Sequence, residues 1–190
     1  MMLRKAPKVF VWNHTVYGSE SLRLALRRCA ALIGVKGPTH VRVLPFQSLG
    51  CRGRSPMGEA HSGTPTLQWL SKGMYYERRG FRRGKQNGYF TINILVPYRA
   101  KTKWWRTAEA FVCFALHEFA HIRQYRTGQF GKLLKIEAKQ GRPAWEDLAR
   151  EKDAIRRKEE VCTKHQRAVS KTIDDLAEAL REQYEVGYRL

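Results

Sequence analysis

The residues best placed to do chemistry are His117, Glu118 and His121, in the run F-V-C-F-A-L-H-E-F-A-H-I-R-Q-Y at positions 111–125. Residues four apart on a helix lie on one face, one turn above each other, so the two imidazoles can aim at one point. Glu118, beside them, can reach a water held there. This is the H-E-x-x-H arrangement: two zinc ligands and a general base. A zinc at that point lowers the pKa of a water to about 7, and the carboxylate takes its proton as the water attacks a carbonyl. The flanks A-F-V-C-F-A-L and F-A are apolar, which predicts a buried helix. Two histidines and a glutamate buried without partners would cost several kcal/mol, and a metal satisfies all three.

A catalytic zinc takes a third protein ligand. The only histidine after His121 is His165, 44 residues on, so the search turns to carboxylates, of which Glu137, Glu146, Asp147, Glu151, Asp153, Glu159 and Glu160 are near enough. On a helix starting near Ala144, the residues Ala144, Leu148, Ile155 and Cys162 share a stripe. Glu151 lies at its edge and Glu159 within it. Glu146, Asp147, Asp153 and Glu160 point away. Glu151 is the first choice, with small Ala154 one turn on, and Glu159 the second.

The elements that must position these groups can be read on either side. K-V-F-V-W-N (8–13) is a short strand, and S-E-S-L-R-L-A-L-R-R-C-A-A-L-I-G (19–34) an amphipathic helix closed by Gly34. T-H-V-R-V-L-P-F (39–46) is a second strand. Residues 47–66, rich in Gly, Ser and Pro, read as a long loop, and a strand is expected around 74–76. G-Y-F-T-I-N-I-L-V-P-Y (88–98) is the strongest strand in the chain. The metal-site helix is expected over 103–125, a short helix in K-L-L-K-I-E-A-K-Q-G, and then one long helix over 144–184, or two with a break near 170–172 where T-I-D-D resembles a capping box. Helix, strands and further helices in this order suggest an α+β fold.

The chain is 190 residues long with a net charge of +19. Residues 1–135 hold 24 Lys/Arg against 5 Asp/Glu, a net of +19, whereas residues 136–190 hold 12 of each. That asymmetry points to an acidic partner, DNA or RNA among them, met by the basic N-terminal two-thirds. In Y-Y-E-R-R-G-F-R-R-G-K (75–85), aromatics interleave with Arg78, Arg79, Arg82, Arg83 and Lys85, a mixture suited to phosphates and stacked bases. No apolar run approaches the roughly 20 residues of a membrane span, and the basic N-terminus lacks a signal-type apolar segment, so a cytoplasmic location is expected. Cys29, Cys51, Cys113 and Cys162 form no C-x-x-C pair and are read as reduced thiols.

A-L-H-E-F-A-H-I-R-Q-Y followed by R-P-A-W-E-D-L-A-R-E-K-D-A resembles the small gluzincin-type zincin metallopeptidases. Their pattern is an H-E-x-x-H helix, then a Glu on a following helix with a small residue three positions on. The resemblance spans about residues 88–160. It implies His117, His121 and Glu151 as zinc ligands and Glu118 as base. It also implies a minimal zincin-like domain over 1–165, with a small, mostly antiparallel sheet and an active-site helix, followed by a C-terminal helical extension over 166–190. The strand G-Y-F-T-I-N-I-L-V is then the sheet edge over the active site, where a peptide substrate could add as a strand. Tyr98, Arg123 and Tyr125 are candidates to stabilise an oxyanion. A weaker similarity, through H-E-x-x-H alone, is to SprT-like, DNA-associated proteases. The expectation is a zinc metalloendopeptidase, acting on peptides or on nucleic-acid-associated proteins. The alternative is a basic nucleic-acid-binding protein with a structural or inactive metal site.

Overall fold

A computed structural model of the chain describes residues 7–13, 15, 17–45, 58–62, 90–96, 104–141 and 147–187. Its strands are β1 (Val9–Asn13), β2 (Thr39–Pro45), β3 (Gly58–Ser62) and β4 (Phe90–Val96). Its helices are α1 (Ser19–Ile33), α2 (Trp104–Arg126), α3 (Gln129–Lys139), α4 (Ala149–Lys164) and α5 (Gln166–Gly187). The chain is α+β in composition, as its pattern predicts.

The sheet differs from expectation. Its order is β1-β2-β4-β3. The pairs β1/β2 and β2/β4 are parallel, and only β3/β4 is antiparallel. The sheet is therefore mixed and mainly parallel. The reason lies in the connections. Parallel neighbours need a crossover of a dozen or more residues, and α1 supplies it between β1 and β2. β4 is not the edge strand either. It pairs on both sides, which suits its nearly continuous apolar sequence. Among the described residues the edge beside it is β3, whose G-E-A-H-S sequence falls in the segment read as a loop.

α1 buries Leu22, Ala25, Leu26, Cys29, Ala30 and Ile33, one stripe at helical spacing. Gly34 ends it at φ 75°, a left-handed conformation, and its N–H reaches the Ala30 and Ala31 carbonyls. α5 presents Val169, Thr172, Ile173, Leu176, Ala177 and Leu180 at the same spacing, and its apolar members join the core formed by α1 and α2. The 166–190 segment is thus packed into the molecule over its described length. α2 runs through the middle. It contacts the sheet as well as α1, α4 and α5, so it is buried nearly all round, and apolar positions alone would not reveal one facing side.

The break in the C-terminal helical segment falls at His165, not at 170–172. The Thr172 hydroxyl donates to the Ala168 carbonyl at 2.7 Å within α5, so T-I-D-D is helix interior and not a cap. The strand expected at 74–76 lies outside the described residues.

Candidate metal centre

α2 and α4 bring three side chains to one point. His117 Nε2 and His121 Nε2 are 3.1 Å apart, and each lies 3.2 Å from Glu151 Oε2. The two rings meet edge to face at 87°, so their nitrogens converge and the rings do not stack. Ligand atoms bound tetrahedrally to zinc at about 2.0–2.1 Å stand about 3.3–3.4 Å from one another. The observed triangle is close to one face of that tetrahedron. Two imidazole nitrogens and one carboxylate oxygen suit zinc, whereas magnesium and calcium take oxygen ligands. Among the described residues no other group of three His, Cys, Asp or Glu side chains converges in this way. His117, His121 and Glu151 could therefore hold a metal ion that takes mixed nitrogen and oxygen ligands.

The helix spacing explains half of the site. His117 and His121 are one turn apart on α2, and Ala115, Leu116, Phe119, Ala120 and Ile122 are buried around them, which locks the face they share. Glu151 needs a second device, because α4 begins without a side-chain cap at Leu148. Glu137 of α3 fills that role: its Oε1 accepts the Arg150 backbone N–H at 2.9 Å, in the first turn of α4. The cap comes from another helix, and it fixes where α4 starts and so where Glu151 points. Ala154, fully buried one turn after Glu151, lets α4 approach α2 closely.

A polar chain behind the ligands fixes their protons. Arg156 and Arg157 both hold the Asp153 carboxylate, at 2.7 and 2.9 Å. Gln124 Nε2 donates to Asp153 Oδ2 and to the Arg150 carbonyl, each at 2.9 Å. Both partners are acceptors, so the amide nitrogen must face them and the amide oxygen must face His121. Gln124 Oε1 lies 3.1 Å from His121 Nδ1, which is therefore the protonated nitrogen. A metal that displaces the Nε2 proton would then meet the Nε2 lone pair of the neutral ring, the tautomer that a metal ligand needs.

Charge at the centre follows the same logic. Burial pushes the Glu151 carboxyl up, but hydrogen bonds from His117 and His121 and their charge outweigh it and hold its pKa at about 2. Burial pushes His121 down, but the hydrogen bond to Glu151, the charges of Glu118 and Glu151 and the bond to Gln124 outweigh it and leave its pKa raised. The pocket is built for a positive charge, which a proton or a metal can supply. Glu118 is buried on the same helix, next to His117.

Several sequence expectations fall differently. Glu159 is exposed and takes no part in the cluster. Asp153, expected to point away, is buried and anchors Gln124. Gln124 was not anticipated, and Glu137, weighed only as a ligand, was not expected as a cap. Gln124 follows His121 by three residues, a helical spacing that could have flagged it. Glu137 has no such signal, since its partner is thirteen residues on and in another helix. Of the oxyanion candidates, Arg123 donates to the Ile33 carbonyl at 3.1 Å, at the end of α1. The Tyr125 ring stacks on Phe130, with centroids 3.8 Å apart. Tyr98 and the basic group Arg78, Arg79, Arg82, Arg83 and Lys85 lie outside the described residues, as does Cys51. Cys29, Cys113 and Cys162 are free thiols, each pushed up by burial. No described helix is long and apolar enough to cross a membrane.

No family model, curated protein or solved structure matches the chain.

Proposed function

We propose that the chain is a zinc-dependent peptidase of the gluzincin kind, with zinc held by His117, His121 and Glu151. The observation that carries the reading is the near-equilateral triangle of Nε2, Nε2 and Oε2 beside a buried Glu118. Bound zinc would supply Lewis acidity toward a water and a peptide carbonyl. The chain's own residues do the rest. Glu118 accepts a proton from the attacking water on its carboxylate and returns it to the leaving amine nitrogen. Gln124 keeps His121 Nδ1 protonated and the ring fixed, and Glu137 keeps Glu151 in register through α4. The antiparallel strand β3, outermost among the described residues, lies against α2, so an extended substrate segment adding to that edge would pass along the helix that carries His117.

Glu118→Gln removes the proton acceptor and keeps the ligands. It should retain zinc and lose peptidase activity by about a hundredfold or more, measured on an unfolded protein substrate. Unchanged proteolysis by this variant would refute the peptidase reading and leave the metal site standing.

A further inference from the structure

The sheet edge opposite β3 carries features that the peptidase reading does not use. β1 is the outermost strand there, paired only with β2 among the described residues. The Lys8 carbonyl accepts the Thr39 N–H at 2.9 Å, so Lys8 turns its backbone groups toward β2. Successive residues of a strand turn their N–H and C=O groups to opposite edges. Phe10 and Trp12 therefore turn theirs toward β2 as well, and Val9 and Val11 present theirs at the open edge. Side chains alternate across the two faces of the sheet in the same way. Val9 and Val11 pack into the core beneath the helices. Phe10 and Trp12 stand on the other face, 45% and 38% exposed. His40, in register with Phe10 on β2, holds both rings: it stacks on Phe10 at 5.0 Å, and its Nδ1 accepts from Trp12 Nε1 at 3.3 Å.

The helix side of the edge is basic. An open concavity of about 550 Å³ lies between β1 and α1, lined by Val9, Val11, Arg23 and Arg27 among others. Glu20 holds Arg23 through two bonds, at 2.6 and 2.9 Å. Two guanidinium groups against that one carboxylate leave a net positive charge. Arg23 and Arg27 are one helical turn apart, about 6 Å along α1, and every second residue of a strand is about 6.7 Å apart. As the crossover between β1 and β2, α1 runs back alongside the strands.

We propose that the β1 edge takes an extended acidic segment of another protein as an added strand. Its backbone would complete the bonds that Val9 and Val11 leave open. Its side chains would alternate between the two faces. Carboxylates two residues apart would meet Arg23 and Arg27, and the apolar residues between them would lie on Phe10 and Trp12. Cations and rings stand on opposite faces here, so only an occupant whose side chains alternate uses both. A nucleic-acid strand cannot extend the ladder and would meet the cations alone. A second copy across a two-fold axis would set Arg23 and Arg27 against their own counterparts. The metal centre plays no part in this recognition.

The test is fluorescence anisotropy of the full chain with a short labelled peptide of alternating Glu and Val, beside a peptide of the same composition with its Glu residues in one block. The alternating peptide should bind about tenfold or more tightly than the block peptide. Arg23→Glu with Arg27→Glu should weaken its binding about tenfold or more. Val11→Pro removes one outward N–H, a change that an edge strand tolerates, and should weaken binding about fivefold. Thermal unfolding checks that each variant folds. The double arginine variant changes no buried residue and decides the matter if the proline variant does not fold. The proposal is overturned if the alternating peptide does not bind, if the block peptide binds as tightly, or if the double arginine variant or a folded Val11→Pro variant binds as wild type does. It is also overturned if oligothymidylate binds more tightly and displaces the peptide, or if Val11→Pro instead abolishes a concentration-dependent dimer.

Discussion

Replacing Gln124 by leucine should weaken zinc binding far more than its distance from the ligand triangle suggests. The side chain touches no ligating atom. It accepts from His121 Nδ1 at 3.1 Å and donates to the Arg150 carbonyl and Asp153 Oδ2, both at 2.9 Å. Leucine fills most of the space and removes all three bonds. His121 then loses the partner that selects its tautomer and holds its ring. Loss of such a partner typically costs 10–100-fold in metal affinity, or about 1.4–2.7 kcal/mol. The metal-free fold loses three buried hydrogen bonds at about 1 kcal/mol each, so its stability should drop by roughly 3 kcal/mol. Competition against a chromogenic chelator measures the first effect, and thermal unfolding without metal measures the second. Gln124→Glu separates the two. It keeps an acceptor toward His121 but sets a carboxylate against Asp153 and the Arg150 carbonyl. It should therefore hold zinc better than the leucine variant and be the less stable of the two. A leucine variant that binds zinc within about twofold of wild type would refute the reasoning about His121.

Ala154 tests the closeness of α4 and α2. Ala154→Leu overfills a fully buried position, and should cost about 1–3 kcal/mol in thermal stability and lower zinc affinity by displacing Glu151. Leu116→Ala, in the buried body of α2, should cost about 2–5 kcal/mol by denaturant unfolding. Asp175 of α5 reaches Arg28 of α1 at 2.5 Å, and its hydrogen bonds with Arg28 and then Lys171 lower its pKa. A depressed carboxylate pKa gives stability that is present above the unfolded value near 3.9 and is lost as pH falls through the lower folded value. Asp175→Asn should remove that contribution at neutral pH, no more than about 1 kcal/mol for so open a pair, and should flatten the acid limb of a stability–pH profile.

The sequence was most informative where local rules suffice. The four-residue spacing of His117 and His121 puts both on one face of any helix, and the α1 stripe and Gly34 mark that helix and its end. Glu151 emerged only as one of two choices, because a periodic stripe ranks positions on a helix without saying where the helix begins. Its start depends on Glu137, a contact between helices that no local pattern encodes. β3 was hidden for the same reason: G-E-A-H-S has little strand tendency of its own and is a strand because β4 pairs with it. The parallel pairing of β1 and β2, by contrast, was available from the strand–helix–strand order. The family resemblance drew the reading toward an antiparallel sheet instead.

The central claim is that His117, His121 and Glu151 hold a metal, and elemental analysis of the purified, untagged chain tests it most directly. Wild type and Glu159→Ala should each carry about one zinc per chain after incubation with zinc and desalting, and Glu151→Ala should carry almost none. Zinc-free wild type, or Glu151→Ala that retains zinc as wild type does, would contradict the account.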